Sequence, residues 1–206
     1  MDKNLITPDN IRAIYNMKGY KFFENDSKNY NINVFGIRSS DMTPNVFNDY
    51  VCLMWKFKNV WYTKVYDATT DPGLYYLLNP LNVQGTAIMV PGQYLDAYGI
   101  GLHHNEYEAL RQKSPMKYYR DNNRDAIYNL DNNSIYEGIG YTNIHHASFK
   151  GKSVQVDKWS AGCQVIADIV DFEEFMTICK KSRDNFGDSF AYTLLTEKDF
   201  ANIKTA

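Results

Sequence analysis

Two stretches of the chain carry apolar residues at helical spacing, and most of the remainder carries short β-like runs. Ile11, Ile14 and Tyr15 line the first helix. It starts at Thr7-Pro8-Asp9-Asn10, with Thr7 as cap, Pro8 at the first helical position and Asp9 at the positive end of the dipole; Gly19 ends it. Phe172, Phe175, Met176 and Cys179 line the second, predicted over 171–182 with Asp171 as cap and Lys180-Lys181 at its negative end. Between the two, strand-like runs fall at Val34–Ile37, Tyr50–Phe57, Val60–Val65, Leu74–Leu78 and Thr86–Val90. Asn59, at the junction of the second and third, predicts a hairpin turn. Residues 21–33 read as a polar loop, and 117–136 as turn-rich chain with brief strands around Tyr118-Tyr119 and Ala126–Tyr128 and a turn at Asp131–Ser134. Glu106–Arg111 reads as a short helix, with Glu108 and Arg111 paired across one turn. Gly140–His146 predicts a strand ending in two histidines, and Phe190–Leu195 a final strand. The sum is a mainly β (β-rich α+β) domain over residues 46–206 behind a helical and loop extension over residues 1–45.

Composition narrows the function. A chain of 206 residues suits one good-sized domain, and 44% apolar with 22% charged residues is ordinary for a folded soluble protein. A formal net charge of −2, without a basic cluster, argues against nucleic acid as partner. No apolar run approaches a membrane span. Met1-Asp2-Lys3-Asn4 opens with charges and no apolar segment, so no signal peptide is expected and the protein is made in the cytoplasm. The 17 tyrosines, 11 phenylalanines and abundant asparagines are more readily ascribed to AT-rich coding than to a ligand groove. The three cysteines, Cys52, Cys163 and Cys179, form no CxxC pair and predict no disulfide framework. Cys52 and Cys179 sit in apolar patterns and read as small buried hydrophobes. Cys163 alone has small, polar neighbours.

The chemistry concentrates around that cysteine. Ser160-Ala161-Gly162-Cys163 supplies a thiol after a glycine free to expose it, and His145 lies eighteen positions upstream. An imidazole can take the thiol proton and leave a nucleophilic thiolate–imidazolium pair. Ser160 and the N–H groups around Gly162 and Cys163 are candidates for an oxyanion hole. Strand alternation puts Asn143 and His145 on one face and Ile144 in the core, so Asn143 could orient the imidazole.

These residues resemble the catalytic signature of the L,D-transpeptidase (YkuD-like) family, in which a histidine is followed at this distance by Ser/Thr-His-Gly-Cys. Gly85–Tyr94 resembles the upstream family segment that holds a small turn and Thr-Pro-x-Gly-x-Tyr/Phe. The likeness spans roughly residues 50–195, but only the His…Cys stretch is specific. The resemblance implies a β-sandwich or barrel with one or two helices. It also implies a thioester formed on the peptide stem of peptidoglycan, then transfer to an amine or to water, with no cofactor. By position Cys163 is the nucleophile and His145 the base, and His146 stands where the family supplies a backbone carbonyl that orients the base. Two departures bear on substrate choice. The motif histidine is Ala161, and the usual arginine two places after the cysteine is Val165, preceded by Gln164, a neutral hydrogen-bonder in its place. The resemblance, the missing leader and the composition together point to a phage-encoded, wall-cleaving version, released by lysis or carried on a virion.

Other readings compete. His103 and His104 complete the histidine inventory, and a zinc site could draw on both pairs with Cys163 or Glu106. Otherwise His103 or His104 borders the substrate groove or is merely exposed, and His104 is the candidate substrate-binding residue. Arg120 and Arg124 could reach a substrate carboxylate. Trp159 is a candidate substrate-binding residue that walls the groove or else anchors its loop in the core, the core being the stronger of the two readings. A catalytically inert virion or binding module with the same fold is the remaining alternative.

Overall fold

The N-terminal helix forms where its end signals put it. In the computed structural model, which describes residues 1–24, 28–131, 135–201 and 203, α1 (Pro8–Lys18) follows Thr7, whose Oγ1 accepts from the Asn10 N–H at 3.3 Å. Gly19 closes it at φ 69°, a left-handed angle that costs glycine nothing. Its buried face, Ile11, Ile14 and Tyr15, packs on Phe35, Ile37, Met54 and Leu195. Two of those belong to a strand inside the expected extension, so residues 1–45 are continuous with the domain that follows.

That strand is β1 (Asn33–Arg38), which pairs with β2 (Asp49–Phe57) and, in parallel, with β11 (Phe190–Thr196). β2 turns into β3 (Val60–Thr69) through Lys58 and Asn59, both at positive φ (50° and 63°), the two-residue turn that matches strand twist. With β5 (Gly92–His103), β6 (Tyr107–Gln112), β9 (Ile144–His146) and β10 (Gln164–Ile166) they close a barrel in the order β1-β11-β5-β6-β9-β10-β3-β2. Closure leaves no open edge. A second sheet, β4 (Thr86–Met89), β7 (Met116–Asp121) and β8 (Tyr136–Gly138), stands beside it. The molecule is mainly β, with an eight-stranded mixed barrel, a small sheet and three α-helices. No helix among the described residues is long and apolar enough to cross a membrane.

Several expectations are corrected. Leu74–Leu78 is a helix, α2, not a strand; a run of five apolar residues has no period to distinguish the two. Glu106–Arg111 falls largely in β6, where pairing with β5 overrides helical propensity. Three residues apart on a strand, Glu108 and Arg111 face opposite ways, and Glu108 pairs with Lys180 at 2.6 Å instead. The late helix, α3 (Ile169–Phe186), begins at an Asp168 cap rather than Asp171 and runs past Lys180-Lys181 to Gly187. Ala126–Tyr128 forms no strand; Tyr128 instead donates its hydroxyl to the Pro72 carbonyl at 2.9 Å. Within the expected loops, residues 25–27 and 132–134 lie outside the described residues.

Beneath the join of barrel and small sheet lies a buried polar cluster. Arg38 donates to the Met89 carbonyl (2.9 Å) and the Thr70 carbonyl (3.1 Å) and pairs with Asp71 at 2.9 Å. Asp49 accepts from the Ser39 and Thr70 N–H groups, each at 2.7 Å. Two carboxyl groups and one cation share this box, and burial raises the pKa of both acids, Asp71 to about 7.

Candidate active site

β9 and β10 are neighbouring parallel strands, and this one pairing assembles the site. Val165 is opposite His145, and the Gln164 N–H donates to the Asn143 carbonyl at 2.9 Å. Cys163 therefore sits beside Asn143, two residues along from the histidine. Strand spacing and rise put the His145 and Cys163 α-carbons about 8 Å apart, and the thiol donates to the Tyr141 carbonyl at 3.9 Å. Both line one cleft of about 1050 Å³ between the barrel and the small sheet.

The turn that presents the thiol is fixed by its own hydrogen bonds. Ser160 Oγ donates to the Cys163 carbonyl (2.8 Å) and accepts from the Gly162 N–H (3.1 Å), while the Ser160 carbonyl accepts from the Gly73 N–H (2.9 Å). Gly162 sits at φ 123°, and a Cβ there would lie 2.6 Å from the Ala87 carbonyl oxygen, so only glycine fits. Ser160 is fully buried and its hydroxyl is spent holding the turn, so it does not face the cleft. The Gly162 N–H is likewise engaged. Neither the Ala161 nor the Cys163 N–H has a partner among the described residues, so both are candidate oxyanion donors.

His145 is held by the neighbouring backbone. Its Nδ1 lies 2.7 Å from the His146 carbonyl oxygen, which can only accept, so Nδ1 carries the proton and Nε2 is left as a base. The His146 side chain points the other way, buried among Tyr107, Phe149 and Phe172 with ring centroids 4.3, 4.4 and 5.1 Å away. Its contribution to the site is the carbonyl.

Behind His145 stands a partner that sequence reasoning did not assign. The His103 ring stacks on His145 with centroids 4.1 Å apart and planes 19° from parallel. Asn143 sets its tautomer. Asn143 Oδ1 accepts from the Gln112 N–H at 3.0 Å, so its amide nitrogen must face His103 Nδ1, 3.1 Å away. His103 Nδ1 is then an acceptor. Asn143 thus orients His103 rather than the base, and its backbone N–H donates to the Cys163 sulfur at 3.4 Å. His104 occupies the β5–β6 turn at φ 51°, exposed at the cleft rim.

The resting charges are neutral. Burial pushes the Cys163 thiol up to about 11 and His145 down to about 3, with His103 adding to the latter; burial also lowers His103 to about 4. A preformed thiolate–imidazolium pair is therefore disfavoured. The arrangement suits transfer of the thiol proton to Nε2 as the sulfur attacks.

Two further expectations shift. Trp159 is 42% exposed and walls the cleft rather than anchoring the core. Gln164 is fully buried, donates to the Gly162 carbonyl (3.4 Å) and accepts from the Tyr192 hydroxyl (2.9 Å). Strand alternation turns it into the barrel, out of reach of a substrate. Among the described residues no group of three or more His, Cys, Asp or Glu side chains is disposed to hold a metal ion, so the zinc reading gains no geometric support. Cys52 and Cys179 are buried in the two cores, and their thiols are pushed higher still. Compared with protein-family models, curated proteins and solved structures, the chain matches none of them.

Proposed function

We propose that the chain is a cysteine-dependent acyl transferase or hydrolase acting on peptidoglycan stem peptides, in the manner of the L,D-transpeptidases it resembles. One observation carries the reading: His145 Nδ1 is committed to the His146 carbonyl at 2.7 Å, leaving Nε2 to serve a thiol that opens into the same cleft. In the proposed reaction Cys163 attacks the stem carbonyl while His145 takes its proton. The Cys163 N–H stabilises the oxyanion, and protonated His145 then delivers its proton to the leaving amine. Water or a second amine releases the acyl group. We favour hydrolysis, as a wall-cleaving phage-type enzyme would require.

The experiment is mass spectrometry of defined peptidoglycan fragments incubated with the wild type, Cys163→Ala and His145→Ala. A cleaved or exchanged stem bond should be absent with Cys163→Ala and slowed about 10²- to 10⁴-fold with His145→Ala. The same cleft could instead belong to an inert binding module, a reading favoured by the neutral thiol and by the engaged Gly162 N–H. Fragments left unchanged by the wild type but retained by it would decide for that module.

A further inference from the structure

The walls of the cleft have an unusual charge. Arg111, Arg120 and Lys158 line it, from β6, β7 and the loop before Ser160, and no aspartate or glutamate among the described residues does. None of the three forms an ion pair with a carboxylate among the described residues; the acidic side chains that do pair engage other cations. Opposed charge of one sign only, in a concave site, raises the local concentration of an anionic ligand.

Arg120 is the most prepared of them. Its guanidinium lies over the Tyr136 ring at 4.8 Å and the Tyr118 ring at 5.9 Å, which hold its plane. Its sole protein hydrogen bond among the described residues runs from Nη1 to the Gly85 carbonyl at 3.2 Å. Nε is buried without a partner. Nη2 makes no protein hydrogen bond among the described residues, and the acceptor that suits the paired N–H groups of a guanidinium is a carboxylate. Arg111, exposed on β6, lines the same cleft as His103 and His145. Arg124, the other arginine singled out by sequence, does not line the cleft.

Resting on the acyl-transfer reading above, we propose that the cleft selects its acyl donor by a free carboxylate on the substrate, taken by Arg120 and assisted by Arg111. Lys158 supplies general positive field rather than a fork. The exposed apolar side chains that also line the cleft, Leu81, Val83 and Trp159, are left to cover uncharged parts of the same donor. The Arg120 site replaces the recognition that Val165 cannot provide. It also predicts that amidated stems are poor substrates.

The test separates recognition from chemistry. Full-length Cys163→Ala protein, which cannot turn over, is titrated calorimetrically with the stem tripeptide L-Ala-γ-D-Glu-diaminopimelate and with the same peptide amidated at every carboxyl. The free acid should bind about tenfold to a hundredfold more tightly. Adding Arg120→Met should erase that preference, Arg111→Met should reduce it, and higher salt should weaken the free acid alone. Equal binding of the two peptides, no binding of either, or a preference that survives Arg120→Met would overturn the proposal. Arg111 is exposed, so its variant folds even where Arg120→Met does not, and Arg120→Lys should restore only part of the preference. Acylation of Cys163 by p-nitrophenyl acetate, a donor without a carboxylate, reads the dyad separately. Its failure in the wild type would count against the acyl-transfer reading instead.

Discussion

At the scale of single residues, the site depends on which atoms are already spent. Ser160 and Gly162 use their polar groups on each other and His146 gives only its carbonyl, so under the proposed reaction the reactive atoms reduce to Cys163 Sγ, its N–H and His145 Nε2. The pair rests neutral, which yields a pH profile opposite to that of a preformed thiolate. With the thiol raised to about 11, its ionised fraction grows about tenfold per pH unit through the range 7 to 10. Alkylation of Cys163 by iodoacetamide should therefore rise with that slope and show no plateau on the acid side of neutrality. Intact-protein mass spectrometry of labelling rates would check this, and a rate flat below pH 7 would mean a thiolate already formed. Cys52 and Cys179, buried in the cores, should label only on unfolding. His145 and Cys163 line one cleft because His145 lies in β9 and Cys163 immediately precedes β10, its parallel neighbour. Arg111 and the His103 stack were not legible in the sequence, since the β5–β6 pairing that delivers them is invisible in local pattern. Gln164 was assigned to the substrate from its place in a motif, where strand alternation alone would have turned it inward.

At the scale of elements, end signals read better than interiors. The Thr7 cap, Pro8 and Gly19 located α1 to the residue, because each acts through local backbone geometry. α2 and β6 were misread, one for want of a period and the other because Glu-Tyr-Glu-Ala-Leu-Arg has helical propensity that sheet pairing overrules. α1 also shows the limit of dividing a chain by composition. The polar loop after it suggested a helical and loop extension over residues 1–45, and the apolar face of α1 closes the second core against the barrel. Ile14 is fully buried there, and Ile14→Ala should cost about 2–5 kcal/mol through lost transfer energy and the cavity left behind. Guanidinium unfolding would measure it. A loss below about 1 kcal/mol would mean that α1 is an accessory helix rather than part of the barrel's core.

At the scale of the molecule, the barrel and the small sheet meet over the Arg38–Asp49–Asp71 cluster, and the loop from Asp71 leads to Gly73, whose N–H holds the Ser160 carbonyl. The cleft is thus built on a charged foundation with one cation for two acids. Burial raises Asp71 from 3.8 to about 7, and its neighbour Asp49 adds to the rise, while Arg38 only partly offsets it. A folded-state pKa above the unfolded one means that the native protein holds the proton more tightly. The associated stability is complete below about pH 4 and is lost as pH rises through about 7, after which it stays at its lower value. Asp67, Asp96 and Glu197, whose pKa values are lowered by their cationic and hydrogen-bonding partners, act in the opposite sense at acid pH. The Asp71 contribution must therefore be read as a difference between proteins. Unfolding free energies of the wild type and Asp71→Asn, measured at pH 5 and pH 8, should show the wild type losing more stability on going to pH 8. The amide keeps the shape without a proton to lose, so its own loss should be smaller. Parallel losses in the two proteins would mean that Asp71 stays ionised beside Arg38 throughout, and the foundation of the cleft would then be an ordinary ion pair.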